Sequence, residues 1–511
     1  MTATDHTGFQ PATGFPWLRS ILVGAGALAI LYAATTLYLI DQALFGAILL
    51  VLAVGFVIVF GTNRFYATRF IFPGLAAILI FILFPVIYTV YLGFTNYSSF
   101  NLLTYERAVE IIQSAKTIDK ASETKFSVAR DETAYRIFLP QEGLISEPVT
   151  LEGSATAHLM PITQEPAELL ETKEAIKLRA GLQLLDLVKP DGSVLKNSGL
   201  RTFAGITPEY IRTGENQLQR ASDGMVFNAN HQTGFFEADD GEVVPPGWRV
   251  NIGLQNYNRI FTSPGVRAPM VSIFVWTTTF AVLSVGLTFA LGLALAVILQ
   301  WPHLRFKPMY RLLLILPYAV PSFISILVFT GLFNQNFGEI NLILEALFGI
   351  RPEWFTNATL ARVMIVMVNV WLGYPYMMLL SMGFLQSVPE DLKKAAALEG
   401  ASALRVFFTI TLPQIIPPFL PMLIASFAFN FNNIVLILLM TRGGPDIPGT
   451  VIPAGKTDIL GSFTYRISFM DSGQQFGLAG AITFLIFLVV GAVAYANFVA
   501  MRRAADKRRH G

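Results

Sequence analysis

The chain has 511 residues, of which 53% are hydrophobic and only 14% charged, where a water-soluble globular chain carries about 25% charge. The apolar excess is gathered into blocks long enough to cross a bilayer, which takes about 17–25 residues each, so the class is polytopic membrane protein with the lipid bilayer as first partner. A net charge of +2 without a basic stripe ahead of the C-terminal tail points to no nucleic acid; the lack of cysteine removes disulfides, thiolate metal sites and cysteine nucleophiles, and the five scattered histidines form no metal-binding pair.

Three spans come first, at Ser20–Ile40, Ala43–Phe60 and Ile71–Phe94, so residues 1–94 make the first segment. The first block lacks a small-residue cleavage site and reads as a retained span. A short turn at Asp41-Gln42 makes the first two spans a helical hairpin. From 95 to 269 the chain turns polar over a length that can bury its own core. The alternating stretches KFSVAR and YRIFL predict strands, Pro190-Asp191-Gly192 and Asp240-Gly241 predict hairpin turns, and Pro166–Ala180 predicts a helix. This insert is expected to be mainly β. Five more spans follow within residues 270–501, at Met270–Leu299, Leu312–Phe333, Val363–Leu385, Ile415–Met440 and Phe476–Met501, and residues 502–511 form a basic tail.

Lysine and arginine in the short loops set the orientation. With the N-terminus inside, the inner loops hold Arg19, Arg64, Arg69, Arg305, Lys307, Arg311, Lys393, Lys394, Arg405 and the basic tail, against Arg351, Arg442, Lys456, Arg466 and the edge residue Arg362 outside. Both ends are therefore cytoplasmic and the insert faces outward. None of the spans as placed contains Asp, Glu, Lys or Arg. Ionisable residues inside a membrane usually mark proton or ion relays, so proton-coupled transport is disfavoured and the driving energy comes from elsewhere. The stretch GTVIPAGKT, Gly449 to Thr457, has five residues between its glycines where a phosphate loop has four, and it lies in an outside loop. It reads as a Pro/Gly-rich connector. The chain binds no cofactor of its own, and any ATP, with its Mg²⁺, belongs to a separate subunit.

Three spans carry polar residues at helical spacing near mid-membrane: Ser426, Asn430 and Asn433 with Phe429 alongside; Asn369, Gly373 and Tyr376; Tyr318 and Ser322. Polar residues in membrane bundles also serve as interhelical glue, at roughly 0.6–2 kcal/mol each. Three stripes at one depth, each with an aromatic neighbour, favour a neutral polyhydroxyl ligand instead: amides and hydroxyls pair with its hydroxyls and rings cover its apolar faces. Pro317, Pro321, Pro375, Pro417 and Pro418 interrupt these spans, either as simple kinks or where backbone lines a cavity.

Between the sixth and seventh spans, residues 386–413 form a polar island containing KAAALEGASALRVFFTITLP. Ser387 and Glu390 are spaced as a capping box, opening a helix of about 12 residues, ~18 Å, that ends at Gly400. Leu392, Ala395, Ala396 and Glu399 share one face. A second short helix follows and Pro413 is expected to stop it. A solvated loop helix would be equally amphipathic; the spacing of Gly400, Ile410, Leu412 and Pro413 from Ala395 and Ala396 is the specific feature. In this it resembles the cytoplasmic docking loop of ABC importer permeases, with Lys394 standing where that family has Glu.

The resemblance extends to SFAFNFNN (Ser426–Asn433), NVWLGYPYMM (Asn369–Met378), LPYAVPSFISI (Leu316–Ile326) and the outward insert. Together these look like the MalF-type permeases of maltose/maltodextrin ABC importers. The resemblance implies an all-α polytopic membrane protein with eight transmembrane helices, the type I ABC importer permease fold and a large mainly-β periplasmic insert, in the bacterial inner membrane. It implies a subunit without enzymatic activity, a second permease subunit (MalG-type), two ATPase subunits (MalK-type) carrying ATP and Mg²⁺, and a periplasmic maltose-binding protein. It further implies maltose contacts at Tyr318, Ser322, Asn369, Leu372, Gly373, Tyr376, Ser426, Phe429, Asn430 and Asn433, an ATPase-docking loop at Lys394, Ala395, Ala396, Glu399, Gly400, Ile410, Leu412 and Pro413, and alternating access. A sensor would need a signalling region after the last span, and an intramembrane enzyme a catalytic pair within the spans; the sequence shows neither.

Overall fold

The computed structural model describes residues 16–510 except 41, 63, 132, 133, 152, 163, 165 and 167. The predicted turn residue Asp41 therefore lies outside the described residues. The chain divides into two compact units, one of Met1–Thr95 with Ile252–Gly511 and the other of Asn96–Asn251.

The membrane unit opens with α1 (Pro16–Leu39) and α2 (Ala43–Gly61), packed as a hairpin. α3 (Thr68–Ile78) and α4 (Phe84–Leu92) form a single span through a π-turn at Leu79–Leu83. Proline explains that turn. The ring of Pro85 would clash with the carbonyl four residues back; at the residue before it, Phe84 N–H donates to Leu79 O, five residues back. The widened turn clears the ring while the backbone stays bonded.

The second unit is β-rich, as expected. α5 (Tyr105–Ser114) leads into β1 (Lys116–Lys125), β2 (Ser127–Asp131), β3 (Ala134–Leu139), β4 (Leu144–Ser146) and β5 (Ala155–Pro161). Two short helices, α6 (Thr172–Lys177) and α7 (Arg179–Gln183), replace the single helix predicted over Pro166–Ala180. β6 (Leu185–Val188), β7 (Val194–Asn197) and β8 (Thr202–Pro208) complete an eight-stranded sheet of order β1-β8-β7-β6-β5-β4-β3-β2, in which only β5 and β6 run parallel. β9 (Tyr210–Gly214), β10 (Gln217–Arg220), β11 (Val226–Asn230), β12 (Phe235–Glu237) and β13 (Val243–Val244) form an antiparallel meander. Both predicted hairpin turns lie between paired strands, with Gly192 and Gly241 at positive φ. The larger sheet buries Phe126, Ile137, Leu185 and Phe203; the meander buries Phe227, Phe236 and Trp248 against Ile112 of α5.

The chain returns to the membrane unit at Ile252, ahead of the boundary at 269 read from composition. The polar stretch beyond it is α8 (Gln255–Thr262), whose buried Asn256 donates to Gly93 O and Thr95 O. α9 (Pro264–Gln300) follows, then α10 (Lys307–Ala319) and α11 (Ser322–Leu332). Leu312–Phe333 was expected as one helix, but α10 and α11 meet at 91°. Pro321 has no N–H to donate and disfavours helix at the residue before it; Val320 is accordingly extended, at φ −88° and ψ 132°.

α12 (Glu339–Phe348), α13 (Ala358–Gln386), α14 (Glu390–Leu398) and α15 (Ala403–Val406) come next. A second π-turn, Phe407–Thr411, joins α15 to α16 (Leu412–Phe431). Pro413 therefore does not stop the helix. Leu412 N–H reaches back five residues to Phe407 O, the same solution as at Pro85. The predicted span Ile415–Met440 is also divided: helix runs from Ala403 to Phe431, breaks at Asn432-Asn433 and resumes as α17 (Ile434–Met440). α18 (Leu460–Phe469) and α19 (Phe476–His510) complete the chain. Among the described residues seven helices are long and apolar enough to cross a membrane, and the bent α10–α11 pair makes an eighth.

α9 and α13 form the most extensive helix–helix seam among the described residues. Small buried residues recur four apart on α9, at Ser284, Thr288, Gly292 and Ala296. They let the two backbones approach closely: a Cβ on Gly292 would stand 2.7 Å from Met378 N.

The Pro/Gly-rich connector between α17 and α18 is tightly built. Buried Asp458 accepts from Gly455 N–H (2.7 Å), Ser462 Oγ (2.8 Å) and Arg466 Nη1 (2.7 Å), and Arg466 Nη2 also reaches Asp446 at 2.6 Å. Burial pushes the Asp458 carboxyl up, against the opposing pull of Arg466 and these hydrogen bonds. The connector is tied to two membrane helices: Trp276 of α9 donates to Thr457 O, and Arg362 of α13 donates to Lys456 O while stacking 4.6 Å over Trp276. Removing one member of a buried pair leaves the other charge uncompensated, at about 3–5 kcal/mol; an exposed pair is worth about 0–1 kcal/mol. Asp458→Ala should therefore lower the melting temperature in detergent by far more than Glu345→Ala, which breaks the exposed Glu345–Arg351 pair.

Candidate functional site

The breaks in α10–α11 and α16–α17 open onto one cavity of about 490 Å³, within the roughly 300–1,000 Å³ usual for small-molecule sites. All ten residues expected at the ligand line it: Tyr318 of α10, Ser322 of α11, Asn369, Leu372, Gly373 and Tyr376 of α13, Ser426, Phe429 and Asn430 of α16, and Asn433 at the break after α16. Two of the stripes differ from their expected form. Tyr318 and Ser322 stand on separate helices across the 91° bend. Asn433 is not the next turn of α16 but the residue preceding α17, at φ −77° and ψ 69°.

The three asparagines form a chain. Asn433 Nδ2 donates to Asn369 Oδ1 (3.3 Å), Asn369 Nδ2 donates to Asn430 Oδ1 (2.6 Å), and Asn430 Nδ2 donates to Ser426 O (2.8 Å). Asn369 and Asn430 are buried, so their mutual bond removes the cost of two unpaired amides. An amide nitrogen carries two N–H groups, and each of these three uses one, so the chain fixes the side chains while leaving donors for a ligand. The rings of Tyr318 and Phe429 are 57% and 69% exposed, their faces bare beside the amides. Tyr376 OH has only a weak contact, 3.9 Å to Met422 Sδ.

Thr288, Ile326, Met377, Ala425 and Val435 also line the cavity and were not expected there. Apolar residues on apolar helices give no contrast in sequence. Thr288 alone had a signal, its place in the four-residue spacing of small side chains on α9. It faces Gly373, where a Cβ would stand 2.8 Å from Thr288 Cγ2.

The loop after α13 holds the second group of expected residues. The predicted capping box is absent. Ser387 closes α13, its Oγ donating to Phe384 O at 2.7 Å, and Pro389 precedes α14, which is nine residues long. Glu390 pairs with Lys394 at 3.2 Å instead, both side chains well exposed. α14 ends in a Schellman motif: Gly400 N–H donates to Ala397 O and Ala401 N–H to Ala396 O, with Gly400 at φ +80°. Ser402 then caps α15 by accepting from Arg405 N–H. Lys394, Ala395, Ala396 and Glu399 lie on or at the end of α14; Ile410 falls in the π-turn, and Leu412 and Pro413 open α16. Leu398 and Leu404 are 91% and 72% exposed, an apolar surface on the polar island.

A cavity among broken membrane helices, with a helical loop projecting from the same spans, is the arrangement of a transport subunit. Residues 286–503 match the family described as binding-protein-dependent transport system inner membrane component. Residues 103–253 match the P2 domain of the maltose transport system permease protein MalF. The MalF proteins of Vibrio cholerae and Escherichia coli K12 are each 43% identical to this chain, over 97% and 96% of it and over 96% and 97% of their own lengths; that of Salmonella typhi is 44% identical over 96% of the chain and 97% of its own length. The chain belongs to the MalF family of ABC importer permeases. It is a multi-pass inner-membrane protein with a β-rich periplasmic insert, and a transport subunit of a multi-subunit importer rather than an enzyme.

The packing of Gly373 on Thr288 gives a test of cavity geometry. Gly373→Ala should destabilise the protein, overpacking costing roughly 1–3 kcal/mol, and Thr288→Ser, which deletes the offending methyl, should restore most of the loss in the double variant. Thermal melting of the four proteins in detergent checks it.

Proposed function

We propose that this subunit carries maltose and maltodextrins through the described cavity, with the amide chain Asn433–Asn369–Asn430 as its polar wall. The observation that carries the reading is the pairing of uncharged, pre-oriented amides with bare aromatic rings in one cavity. Sugar hydroxyls both donate and accept, so amides serve them where a fixed charge would cost desolvation. Tyr318, Tyr376 and Phe429 cover the apolar faces of the pyranose rings, and Ser322 and Ser426 supply further hydroxyls. Gly373 and Leu372 leave room for the ligand.

The partners in this reading are a second, MalG-type permease, two MalK-type ATPases that hold ATP and Mg²⁺, and a periplasmic maltose-binding protein that delivers the sugar. The α14–α15 loop docks on an ATPase through Ala395, Ala396 and the exposed Leu398 and Leu404. With Glu390 paired to Lys394, Asp391 or Glu399 supplies the negative charge that Lys394 does not. The loop continues through the π-turn into α16, which bears Ser426, Phe429 and Asn430. Closure of the ATPases on ATP thus moves a cavity wall directly, and the cavity alternates between the two sides of the membrane.

Asn430→Ala and Asn433→Ala should each reduce maltose uptake at least tenfold with the importer still assembled in the membrane. Asn430→Ala should have the greater effect, because it also leaves buried Asn369 without its acceptor. Radiolabelled maltose uptake, normalised to assembled complex, measures it; unchanged uptake in both variants would remove the cavity from the transport path.

A further inference from the structure

A second pocket in the membrane unit has a different chemistry. α9 turns Arg267, Met270, Val271 and Phe274 to one face, at i, i+3, i+4 and i+7. α19 meets them with Ile486 and Val489, and together they bound a groove of about 310 Å³ whose lining is apolar apart from Arg267. Val271 and Phe274 are exposed, so no other described part of the chain covers them. Arg267 is exposed too, and its guanidinium makes no hydrogen bond, ion pair or ring contact with another described residue.

The depth of the groove follows from the helix that carries it. α9 has 37 residues, about 55 Å at 1.5 Å per residue, and so overruns a hydrocarbon core of about 30 Å. It begins just after the periplasmic insert, which puts Arg267, in its first turn, at the outer interface. Phe274 lies seven residues further along, about 10 Å deeper. The groove therefore runs from the headgroup level into the outer leaflet, with its one cation at the wet end. A sugar is a poor occupant, since the groove offers it almost no hydrogen-bonding groups. An extended hydrocarbon chain below an anionic group matches both ends of the groove.

We propose that this groove is a phospholipid site, in which one acyl chain lies between α9 and α19 and the phosphate pairs with Arg267. The bound lipid buries the apolar trough and gives a counter-charge to Arg267, which has no side-chain partner among the described residues.

The test uses the whole importer, purified in mild detergent from its native membrane, with retained phospholipids counted by native mass spectrometry. The parent complex should hold one tightly bound phospholipid that survives detergent exchange. Arg267→Gln should lower its occupancy several-fold, Arg267→Lys should keep most of it, and Val271→Trp, which fills the trough from an exposed position, should abolish it. Melting temperatures close to the parent's would show that the variants are folded. Equal retention in the parent, Arg267→Gln and Val271→Trp would overturn the proposal, as would absence of bound lipid from the parent. Because the chain has no cysteine, Val271→Cys gives a single reporter, and its cross-linking to another subunit would assign the groove to protein and also overturn the proposal.

Discussion

A hydrocarbon interior cannot hydrogen-bond to backbone, so every interruption of a membrane helix must be satisfied within the protein or open onto a cavity. The prolines of the membrane helices meet this constraint in three ways, and most of them, Pro73, Pro269, Pro317, Pro375, Pro417, Pro418 and Pro421, lie inside helices that run on through them. Pro85 and Pro413 are absorbed by π-turns, and their helices continue. At Pro321 the helix instead turns through 91°, and beside it the α16–α17 helix breaks at Asn432-Asn433. Residues flanking both breaks, Tyr318, Ser322, Asn430 and Asn433, line the same cavity. The cavity exists because these helices fail to run straight at one depth.

Around that cavity the structure divides into a fixed part and a coupled part. On the outer side, Asp458 and Arg466 close the connector after α17, and Trp276 and Arg362 tie it to α9 and α13. Those two helices are locked further by the glycine contacts of their seam. α16 also packs on α9, where buried Phe419 meets Phe289, but its two ends are held differently. Its inner end is continuous with the α14–α15 loop through a π-turn, and near its outer end Asn430 meets Asn369 of α13 in a single short hydrogen bond. In the proposed cycle a pull on the loop would be felt first at this bond, where the wall bearing Ser426, Phe429 and Asn430 meets the anchored wall bearing Asn369.

Much of this was legible in the sequence because polar groups stand out against apolar spans. The asparagines, Tyr318, Tyr376 and the two serines are conspicuous for that reason, and the alternation of KFSVAR and YRIFL showed the insert to be β-rich. The bends were less legible. A proline announces a disturbance but not its resolution: Pro413 was expected to end a helix that a π-turn carries through, and Pro321 was not expected to turn one through 91°. The Ser387–Glu390 spacing suited a capping box, yet Ser387 bonds backward to α13 and Glu390 is taken by Lys394. The Asp458–Arg466 knot was invisible, since it draws its members from a connector without periodicity and depends on a fold that buries them.

The central claim is that sugar occupies the cavity between α13 and α16. The absence of native cysteine allows a direct test, with Ser426→Cys labelled by a small water-soluble thiol reagent in the assembled importer while binding protein, ATP and maltose are varied. Maltose should slow labelling of Cys at position 426 severalfold. A labelling rate at position 426 that ignores saturating maltose in every state of the transport cycle would contradict the account.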